Sequence, residues 1–457
     1  MTQTTALFLL FCLALPNGSM ASDTQIGRRK ALLAAKDRRI RAQIAREPGA
    51  VLVRLADGGI RRFPAAAATE AARGAALNAA FALGTTLRNS TVFIGPGTYV
   101  ITSGLRGFTG TKLYGSGRDV TLIQMADGAL ATQYYVFRCV EAEDPLTGYR
   151  YASGCELRDV TLDVNRQNQL PGAFFGVGAQ IMASDAVLSR VTCRNAGGNT
   201  FEELFCLLIS ASGGVSGTFK SGLVRNALIE ECEVTSVAPG FDSAPISVTA
   251  ITINGSYTPD VKNPGDGWIV NGRITRSSVH GIACQTGLLA FQVSAARQVV
   301  VEDCTTFDNH CRYVIGFYSD TGPLQRVSVS RNQFTDVDVG VRLTCDRLSY
   351  HQDTLIFAND VRFRNDAPTL GKVGVEYGGG TRTSGVRVMG NRLNLTLQTS
   401  ASIGVNLDQV AKGLVLANTI DGFIIPVAIQ ASGETVVRGN TDAFGTPVAQ
   451  GVGQQHP

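Results

Sequence analysis

A short pattern of apolar and polar positions recurs along the chain between residues 157 and 442. Each copy has an apolar residue, two intervening residues, a small or amide residue, one further residue and a second apolar residue, as in the run that starts at Leu157. The central positions of the copies are Val160, Val191, Cys232, Ser277, Cys304, Asn332, Asn359, Asn391, Asn418 and Asn440. Their most frequent spacing is 27 residues, about the length of three short strands and three turns. The pattern predicts an all-β solenoid, a parallel β-helix with one copy in each coil.

The last five central positions are all asparagine, from Asn332 to Asn440. Stacked asparagines at an inward bend satisfy one another's amides and the neighbouring backbone, and buried polar groups need such partners. We therefore expect a structural asparagine ladder at this position, with no part in chemistry.

Two intervals between central positions are longer than the rest, at 41 and 45 residues. They predict loops inserted around 195 to 225 and 236 to 268. Insertions in a solenoid often gather on one face, which is frequently the binding face.

The start of the body carries a second signal. An alanine-rich segment with helical character runs from Ala65 to Gly84, a strand, a turn and a strand follow from Ser90 to Val100, and a glycine-containing run extends from Thr111 to Ile123. Residues 70–124 resemble the pectate-lyase-like superfamily, in particular the N-terminal domain of rhamnogalacturonase-like and epimerase-like β-helix proteins. The resemblance implies a single-stranded right-handed parallel β-helix with an N-terminal capping helix. It selects no reaction, because this fold hosts lyases, hydrolases, esterases, epimerases and adhesive proteins.

The N-terminal residues indicate export. Residues 1–21 contain an apolar run from Ala6 to Leu15, a break at Pro16 and small residues at Ser19 and Ala21, as in a secretory signal peptide. The run is too short to span a bilayer. We expect a secreted or periplasmic protein with no integral membrane span after removal of the signal.

Charge divides the remaining chain. Residues 22–62 hold eleven Lys or Arg and four Asp or Glu, which gives this segment a net charge of +7. Because the whole chain has a net charge of +4, the remaining residues together carry −3. This distribution argues against nucleic acid as a partner, which requires positive charge along a contact face. We predict a basic N-terminal arm at 22–63 with a helix from Arg28 to Arg46, a β-helix at 64–445 and a C-terminal tail at 446–457. The arm is expected to be solvated, or else to attach the protein to an acidic surface.

Nine of the ten cysteines follow the signal segment. Most lie in strand-like apolar runs, where cysteine behaves as a small buried hydrophobe. None has the paired spacing of a zinc site. We interpret them mainly as core residues.

The strands after each central position are expected to support the substrate groove, as they usually do in this fold. Their predicted ranges are Val177 to Ala183, Gly281 to Thr286, Val314 to Ser319, Gly340 to Asp346, Gly374 to Gly378, Gly404 to Asp408 and Val427 to Gln430. Alternation along a strand assigns the two faces. The predicted inward residues are Val341, Leu343, Val375, Tyr377, Val405 and Leu407. The predicted outward residues are Arg342, Thr344, Glu376, Asn406 and Asp408, with Asp320 and Asp346 at strand ends.

The outward carboxylates allow acid and base chemistry on a sugar. Neighbouring coils stack about 4.8 Å apart, so carboxylates on adjacent coils approach the separation of a retaining glycosidase, and those two coils apart suit an inverting one. Glu376 and Asp408 form an adjacent-coil pair, with Asp346 and Arg342 one coil earlier. Ordinary solvated acids on a sheet face are the competing interpretation.

Two other constellations permit different chemistry. Elimination on a polyuronate requires cations and a base, often with calcium held by aspartates. Arg342 with Asp320 and Asp346 would supply these groups. His310, in a turn rich in titratable groups just before a groove strand, is a candidate general base. No other cofactor is required by the sequence.

The leading hypothesis is a polysaccharide-active enzyme that cleaves glycosidic bonds in a groove on the β-helix, by hydrolysis or elimination. The alternative is a non-catalytic glycan-binding or surface-adhesion β-helix protein. Solenoid side faces also permit a homotrimer, although no partner surface is specified.

Overall fold

The structure is a computed structural model of the chain. It describes residues 34–129, 135–144, 148–169, 177–196, 204–211, 223–236, 248–255, 267–319, 323–344, 351–364, 371–378, 383–396, 402–430, 432–448 and 450–452. The predicted signal segment at 1–21 lies outside these ranges, as do Asp320 and Asp346.

The chain winds into a parallel β-helix, as predicted, with strands gathered in two large sheets. Within the described ranges, sheet A has 26 strands and bends around a corner, so that it presents two outer faces. Its strands are Val51–Arg54, Ile60–Phe63, Thr91–Ile94, Gly97–Ile101, Lys112–Tyr114, Thr121–Met125, Glu156–Asp163, Val187–Arg194, Val224–Arg225, Leu228–Glu230, Glu233–Thr235, Ile269–Thr275, Ser278–His280, Ala296–Glu302, Thr305–Phe307, Leu324–Gln325, Ser328–Ser330, Gln333–Val337, His351–Gln352, Leu355–Phe357, Asp360–Phe363, Val386–Met389, Arg392–Asn394, Lys412–Leu416, Thr419–Asp421 and Glu434–Arg438.

Sheet B closes the third side and is parallel throughout its described strands. These are Leu105–Gly107, Tyr135–Cys139, Val177–Ile181, Leu204–Ser210, Val248–Asn254, Ala283–Ser294, His310–Ser319, Val339–Thr344, Val373–Gly378, Ile403–Asp408, Ile425–Gln430 and Gln450–Val452. Two minor pairings join Ala142–Asp144 to Gly148–Arg150 and Ala152–Ser153 to Ala183–Ser184.

The strands Leu204–Ser210 and Val248–Asn254 correct one prediction. They lie within the segments interpreted as inserted loops, yet they pair with each other and with the neighbouring coils of sheet B. Both runs are rich in apolar and β-branched residues, which suits a sheet buried on one side. The additional length of these two coils therefore lies on either side of a regular strand.

The asparagine ladder is confirmed. The side-chain amide of Asn332 donates to Oδ1 of Asn359 at 2.9 Å, and the same bond repeats from Asn359 to Asn391, from Asn391 to Asn418 and from Asn418 to Asn440. All five side chains are buried. Each amide also donates to a backbone carbonyl of the preceding coil, as Asn359 does to Val329 at 2.9 Å.

The residue before each ladder position has a left-handed backbone, with φ between 48° and 63°. In the N-terminal coils these corner residues alternate in charge, in the order Asp159, Arg190, Glu231, Arg276, Asp303 and Arg331. Nε of Arg190 donates to Asp159 at 2.5 Å, and Nε of Arg331 donates to Asp303 at 2.9 Å. In the C-terminal coils the corresponding residues are small, namely Ala358, Gly390, Ala417 and Gly439. We call this column the corner ladder.

The predicted capping helix is present at Glu70–Phe81, with the hydroxyl of Thr69 accepting from the N–H of Ala72 at its start. Its buried face lies on the first coil, and a Cβ on Gly74 would stand 1.7 Å from the carbonyl oxygen of Val100. Glycine therefore allows the closest approach of helix and sheet.

The basic segment also contains a helix, at 34–44 in the described residues. Ile40 and Ile44 pack with Phe93 and Tyr114 on the outside of sheet A. Arg41 forms an ion pair with Asp159, at the first position of the corner ladder. This helix is therefore docked on the body, and the interpretation as a solvated arm is wrong for these residues.

The cysteines in the described ranges are mainly core residues, as expected, but four of them form disulfides. These join Cys139 to Cys155 and Cys284 to Cys311. Cys193, Cys206, Cys232 and Cys304 are buried thiols. Disulfides of this kind are typical of proteins in oxidising compartments.

Among the residues described, no helix has the length and apolar character needed to cross a bilayer.

Candidate active site

The outer face of sheet B carries a continuous row of side chains in register. From the N-terminal to the C-terminal coil the row is Arg106, Arg138, Gln180, Leu208, Thr252, Gln292, Tyr318, Arg342, Glu376, Asn406 and Ala428. Each residue lies beside the next across one strand spacing of about 4.8 Å. The predicted outward residues Arg342, Glu376 and Asn406 are therefore nearest neighbours.

The inward residues of these strands are as predicted. Val341, Leu343, Val375, Tyr377, Val405 and Leu407 are all at most 1% exposed. This packing determines the register of the strands, because a shift by one residue would bring the apolar set to the outer face.

A column of glycines sets the position of the row. Gly316, Gly340, Gly374 and Gly404 stack on successive coils, and a Cβ on Gly374 would stand 2.4 Å from the carbonyl oxygen of Gly404 and 2.6 Å from Cδ1 of Leu393. The backbones of adjacent coils and the core therefore meet at this column. Arg342 and Glu376 each follow the column by two residues, at the same level of the face.

Arg342 and Glu376 form the central ion pair of the face. Nε of Arg342 donates to Oε2 of Glu376 at 2.6 Å, and the two side chains are 29% and 25% exposed. The guanidinium also lies 5.7 Å from the ring centre of Tyr313. Burial alone would lower the pKa of Arg342, but Tyr313 and Glu376 favour the charged form and raise it overall. Burial raises the pKa of Tyr313 to about 12.

An apolar patch adjoins this pair. Leu289, Ile315 and Val339 form a cluster separate from the main core, and Tyr313 and Tyr318 pack against it. Aromatic rings with polar tips beside hydrogen-bonding side chains are typical of surfaces that bind ligands with both apolar and polar faces. The face therefore offers apolar contact and charge within two coils.

A buried ionic cluster holds the strand that carries Tyr313. The carboxylate of Asp338 accepts from the N–H of Val314 at 2.8 Å, and it pairs with Arg364 and Lys372. Arg364 also donates to the carbonyl oxygens of Cys311 and Arg312. Backbone groups on both sides of Tyr313 are thus fixed, which limits the movement of its ring.

Asp408 lies diagonally from Glu376. Glu376 is opposite Asn406, and Asp408 follows two residues later on the same strand as Asn406. One strand spacing of about 4.8 Å and two residues of about 3.3 Å each place the two Cα atoms about 8 Å apart. The carboxylate of Asp408 has no hydrogen-bond partner within the described part of the chain.

The remaining predicted residues are not brought to this pair. His310 lies at the start of its strand, eight residues before Tyr318, and its ring is 3.1 Å from Asp308 with 68% of the side chain exposed. Asp320 and Asp346 lie outside the described residues. Calcium on these two aspartates was expected only for a lyase. Within the described ranges, no three potential ligands among His, Cys, Asp and Glu cluster around a common point.

Sequence reasoning missed Tyr313, Tyr318 and Asp338 as parts of the site. Tyr313 and Tyr318 follow the turn of His310 in the sequence, but alternation alone does not show which aromatic rings meet Arg342. Asp338 has one recognisable signal, since it is a charged residue at a bend between two apolar strands.

Three solved structures align with most of this chain. The A-module of the Azotobacter vinelandii mannuronan C-5 epimerase AlgE6 is 16% identical over 81% of this chain and 94% of its own, with a TM-score of 0.46. PfbA, a surface adhesin of Streptococcus pneumoniae, is 11% identical over 82% of this chain and 89% of its own, with a TM-score of 0.47. The catalytic domain of a GH87 alpha-1,3-glucanase in complex with nigerose is 12% identical over 81% of this chain and 66% of its own, with a TM-score of 0.37.

Comparison with curated proteins gives no significant match. Residues 62–199 match the family model described as "Rhamnogalacturonase A/epimerase, pectate lyase-like". This match confirms the resemblance seen in the capping helix and first coils. Residues 62–199 of this β-helix protein are thus similar to the rhamnogalacturonase A/epimerase, pectate lyase-like family.

Proposed function

We propose that this protein is an exported glycoside hydrolase that binds a polysaccharide along the outer face of sheet B and cleaves it beside Glu376. The observation that carries the proposal is the Arg342–Glu376 pair, half-shielded beside Tyr313 and Tyr318. The family description names a rhamnogalacturonase, which supports a polysaccharide as the substrate. Two disulfides support a location outside the cytoplasm.

Glu376 is assigned the role of general base. Arg342 occupies Oε2, and Oε1 has no partner among the described residues, so this oxygen is available to take a proton from water. The guanidinium also holds the carboxylate in one orientation relative to the face.

Asp408 is assigned the role of general acid. Inverting glycosidases hold their two carboxyl groups about 6.5–9.5 Å apart, which leaves room for the attacking water. Outward side chains on Cα atoms about 8 Å apart would hold the two carboxyl groups at a similar separation, which fits an inverting enzyme better than a retaining one, where the groups are about 5–5.5 Å apart. Asn406 lies beside Glu376, where its amide would bind a sugar hydroxyl.

Elimination is less well supported by the same contacts. A lyase requires a cation that is available to a uronate carboxylate, whereas the charge of Arg342 is already engaged by Glu376 and by the Tyr313 ring. Asp320 and Asp346, which would hold calcium in a lyase, lie outside the described residues.

The test is a screen of the purified full chain against neutral and uronic polysaccharides, with new reducing ends and the ultraviolet absorbance of unsaturated products followed together. We expect reducing ends without absorbance, and proton NMR of the first product should show the inverted anomer. Glu376→Gln and Asp408→Asn should each lower kcat by about 10²- to 10⁴-fold, while Glu434→Gln, an exposed acid on sheet A, should not.

Three outcomes would overturn the assignment. Unsaturated products would assign elimination instead. Retention of the anomer would contradict the inverting geometry. Binding of a polysaccharide with no cleavage would leave the glycan-binding alternative.

A further inference from the structure

A second concave site lies on sheet A near the C-terminal end of the β-helix. It is a cavity of about 260 Å³, lined by Arg392, Leu393, Asn394, Thr419, Asp421 and Ala443. It shares no residue with the outer face of sheet B. We call it the C-terminal cavity.

Two neighbouring strands supply its polar side chains. Arg392 lies opposite Thr419, and Asn394 lies opposite Asp421. Strands are about 4.8 Å apart and alternate residues about 6.6 Å apart, so these four side chains stand at the corners of a small rectangle. The residue between them, Leu393, is buried in the core, which places the four on the outer side.

These four side chains are not used by the fold. Within the described part of the chain, none of them has a side-chain hydrogen bond or an ion-pair partner. One coil earlier the situation differs, because Arg362 donates to Asp360 at 2.9 Å. The C-terminal cavity therefore holds a cation, a carboxylate, an amide and a hydroxyl that are available to a ligand.

A short hook forms the wall of the cavity. Oδ1 of Asp442 accepts from the N–H of Phe444 at 2.9 Å and from the N–H of Thr446 at 2.8 Å. The hook brings Ala443 into the lining and leaves the Phe444 side chain 91% exposed. Phe444 directly follows the lining residue Ala443, and its exposed ring is available for contact with a ligand that extends out of the cavity.

We propose that the C-terminal cavity binds one uncharged sugar unit of a glycan. Sugar hydroxyls both donate and accept, which matches the donors of Arg392 and Asn394 and the acceptor oxygens of Asp421 and Thr419. The charges of Arg392 and Asp421 cancel, so the cavity has no net attraction for an anion. The ring of Phe444 covers the apolar C–H face of the sugar, and the site works independently of any cleavage on sheet B.

The test is calorimetric titration of the full chain carrying Arg342→Ala, which removes the central cation of sheet B from the experiment. The probes are hexasaccharides of the cello-, xylo-, manno-, malto- and laminari- series. We expect at least one to bind, and we expect Phe444→Ala and Asp421→Ala each to weaken it about tenfold or more, equivalent to 1.4 kcal/mol.

Phe357→Ala is the matched control, because Phe357 is 40% exposed on sheet A but does not line the cavity. The Phe357→Ala variant should bind the same hexasaccharide with unchanged affinity. Failure of every probe to bind would overturn the proposal, as would binding that survives both Phe444→Ala and Asp421→Ala. Loss of cleavage on sheet B would not affect either result.

Discussion

Asn391 uses one side-chain oxygen to satisfy two donors of Asn359. Its Oδ1 accepts from the side-chain amide of Asn359 at 2.9 Å and from the backbone N–H of the same residue at 3.0 Å. Each ladder member therefore closes the turn of the preceding coil as well as its side chain. The ladder therefore fixes the conformation of one turn in each of these coils from inside the core.

We predict that Asn391→Ala lowers the free energy of unfolding by about 3 kcal/mol, since it leaves two buried donors of Asn359, the side-chain amide and the backbone N–H, without their acceptor. Urea unfolding followed by circular dichroism measures the change. Asn394→Ala, three residues later and facing outward, should change it by less than about 0.5 kcal/mol. Equal effects of the two substitutions would show that the ladder adds no stability.

The glycine column makes a second stability prediction with a control in the same strand. Gly374→Ala forces a Cβ to 2.4 Å from the carbonyl oxygen of Gly404, whereas a Cβ on Gly378 meets nothing within 4 Å. We expect Gly374→Ala to cost about 1–3 kcal/mol, as overpacking does, and Gly378→Ala to be nearly neutral. Thermal unfolding of both variants measures this, and a stable Gly374→Ala protein would contradict the close approach of the coils.

The buried cluster under Tyr313 should be sensitive to the loss of one charge. Lys372→Met removes a partner of Asp338, whose side chain is fully buried. We expect a loss of about 1.5–3 kcal/mol, because Asp338 keeps its pair with Arg364 but loses one of its two buried cationic hydrogen-bond donors. Arg362→Ala, in an exposed pair with Asp360, should cost at most about 1 kcal/mol. Chemical unfolding compares the two, and a small effect of Lys372→Met would show that Arg364 alone balances Asp338.

Buried thiols predict a loss of stability at alkaline pH. Burial raises the pKa of Cys232 and of Cys304 from 9.0 to about 12. Between these values the folded protein keeps the proton that the unfolded chain has lost, so the free energy of unfolding falls as pH rises, by up to about 1.4 kcal/mol per pH unit for each thiol. Below pH 9 both states are protonated and the contribution is complete.

The measurement is the urea midpoint at pH 8.5 and pH 10.5 for the wild type and for Cys304→Ala. The alkaline decrease should be smaller in the variant, because one titrating group is gone. An identical decrease in both proteins would show that Cys304 does not contribute to it.

Much of the fold could be predicted because its determinants are local in each coil. The spacing of Asn332, Asn359 and Asn391 predicted the coils, and alternation around Val341 and Val375 predicted which residues face the core. The strands near Leu207 and Ile251 escaped prediction, because long intervals between ladder positions conceal whether the additional residues replace a strand or flank it.

The sites could be predicted only in part, because they depend on pairing between coils. Alternation placed Arg342 and Glu376 on the outer face, but their ion pair follows from a register across 34 residues. The diagonal position of Asp408 requires the same register. The C-terminal cavity depends on the hook around Asp442, and no periodicity in the sequence indicates that this hook lines the same cavity as Asp421.

The corner ladder restricts how the length of this protein can change. Each charged corner between Asp159 and Arg331 meets an opposite charge on the next coil, so removal of a single coil would bring like charges together. Insertions and deletions there should be tolerated in even numbers of coils. Beyond Ala358 the corners are small and neutral, and coils can be added or lost one at a time. The N-terminal half therefore accommodates only even changes in the number of coils. Growth of the solenoid by single coils is favoured in its C-terminal half.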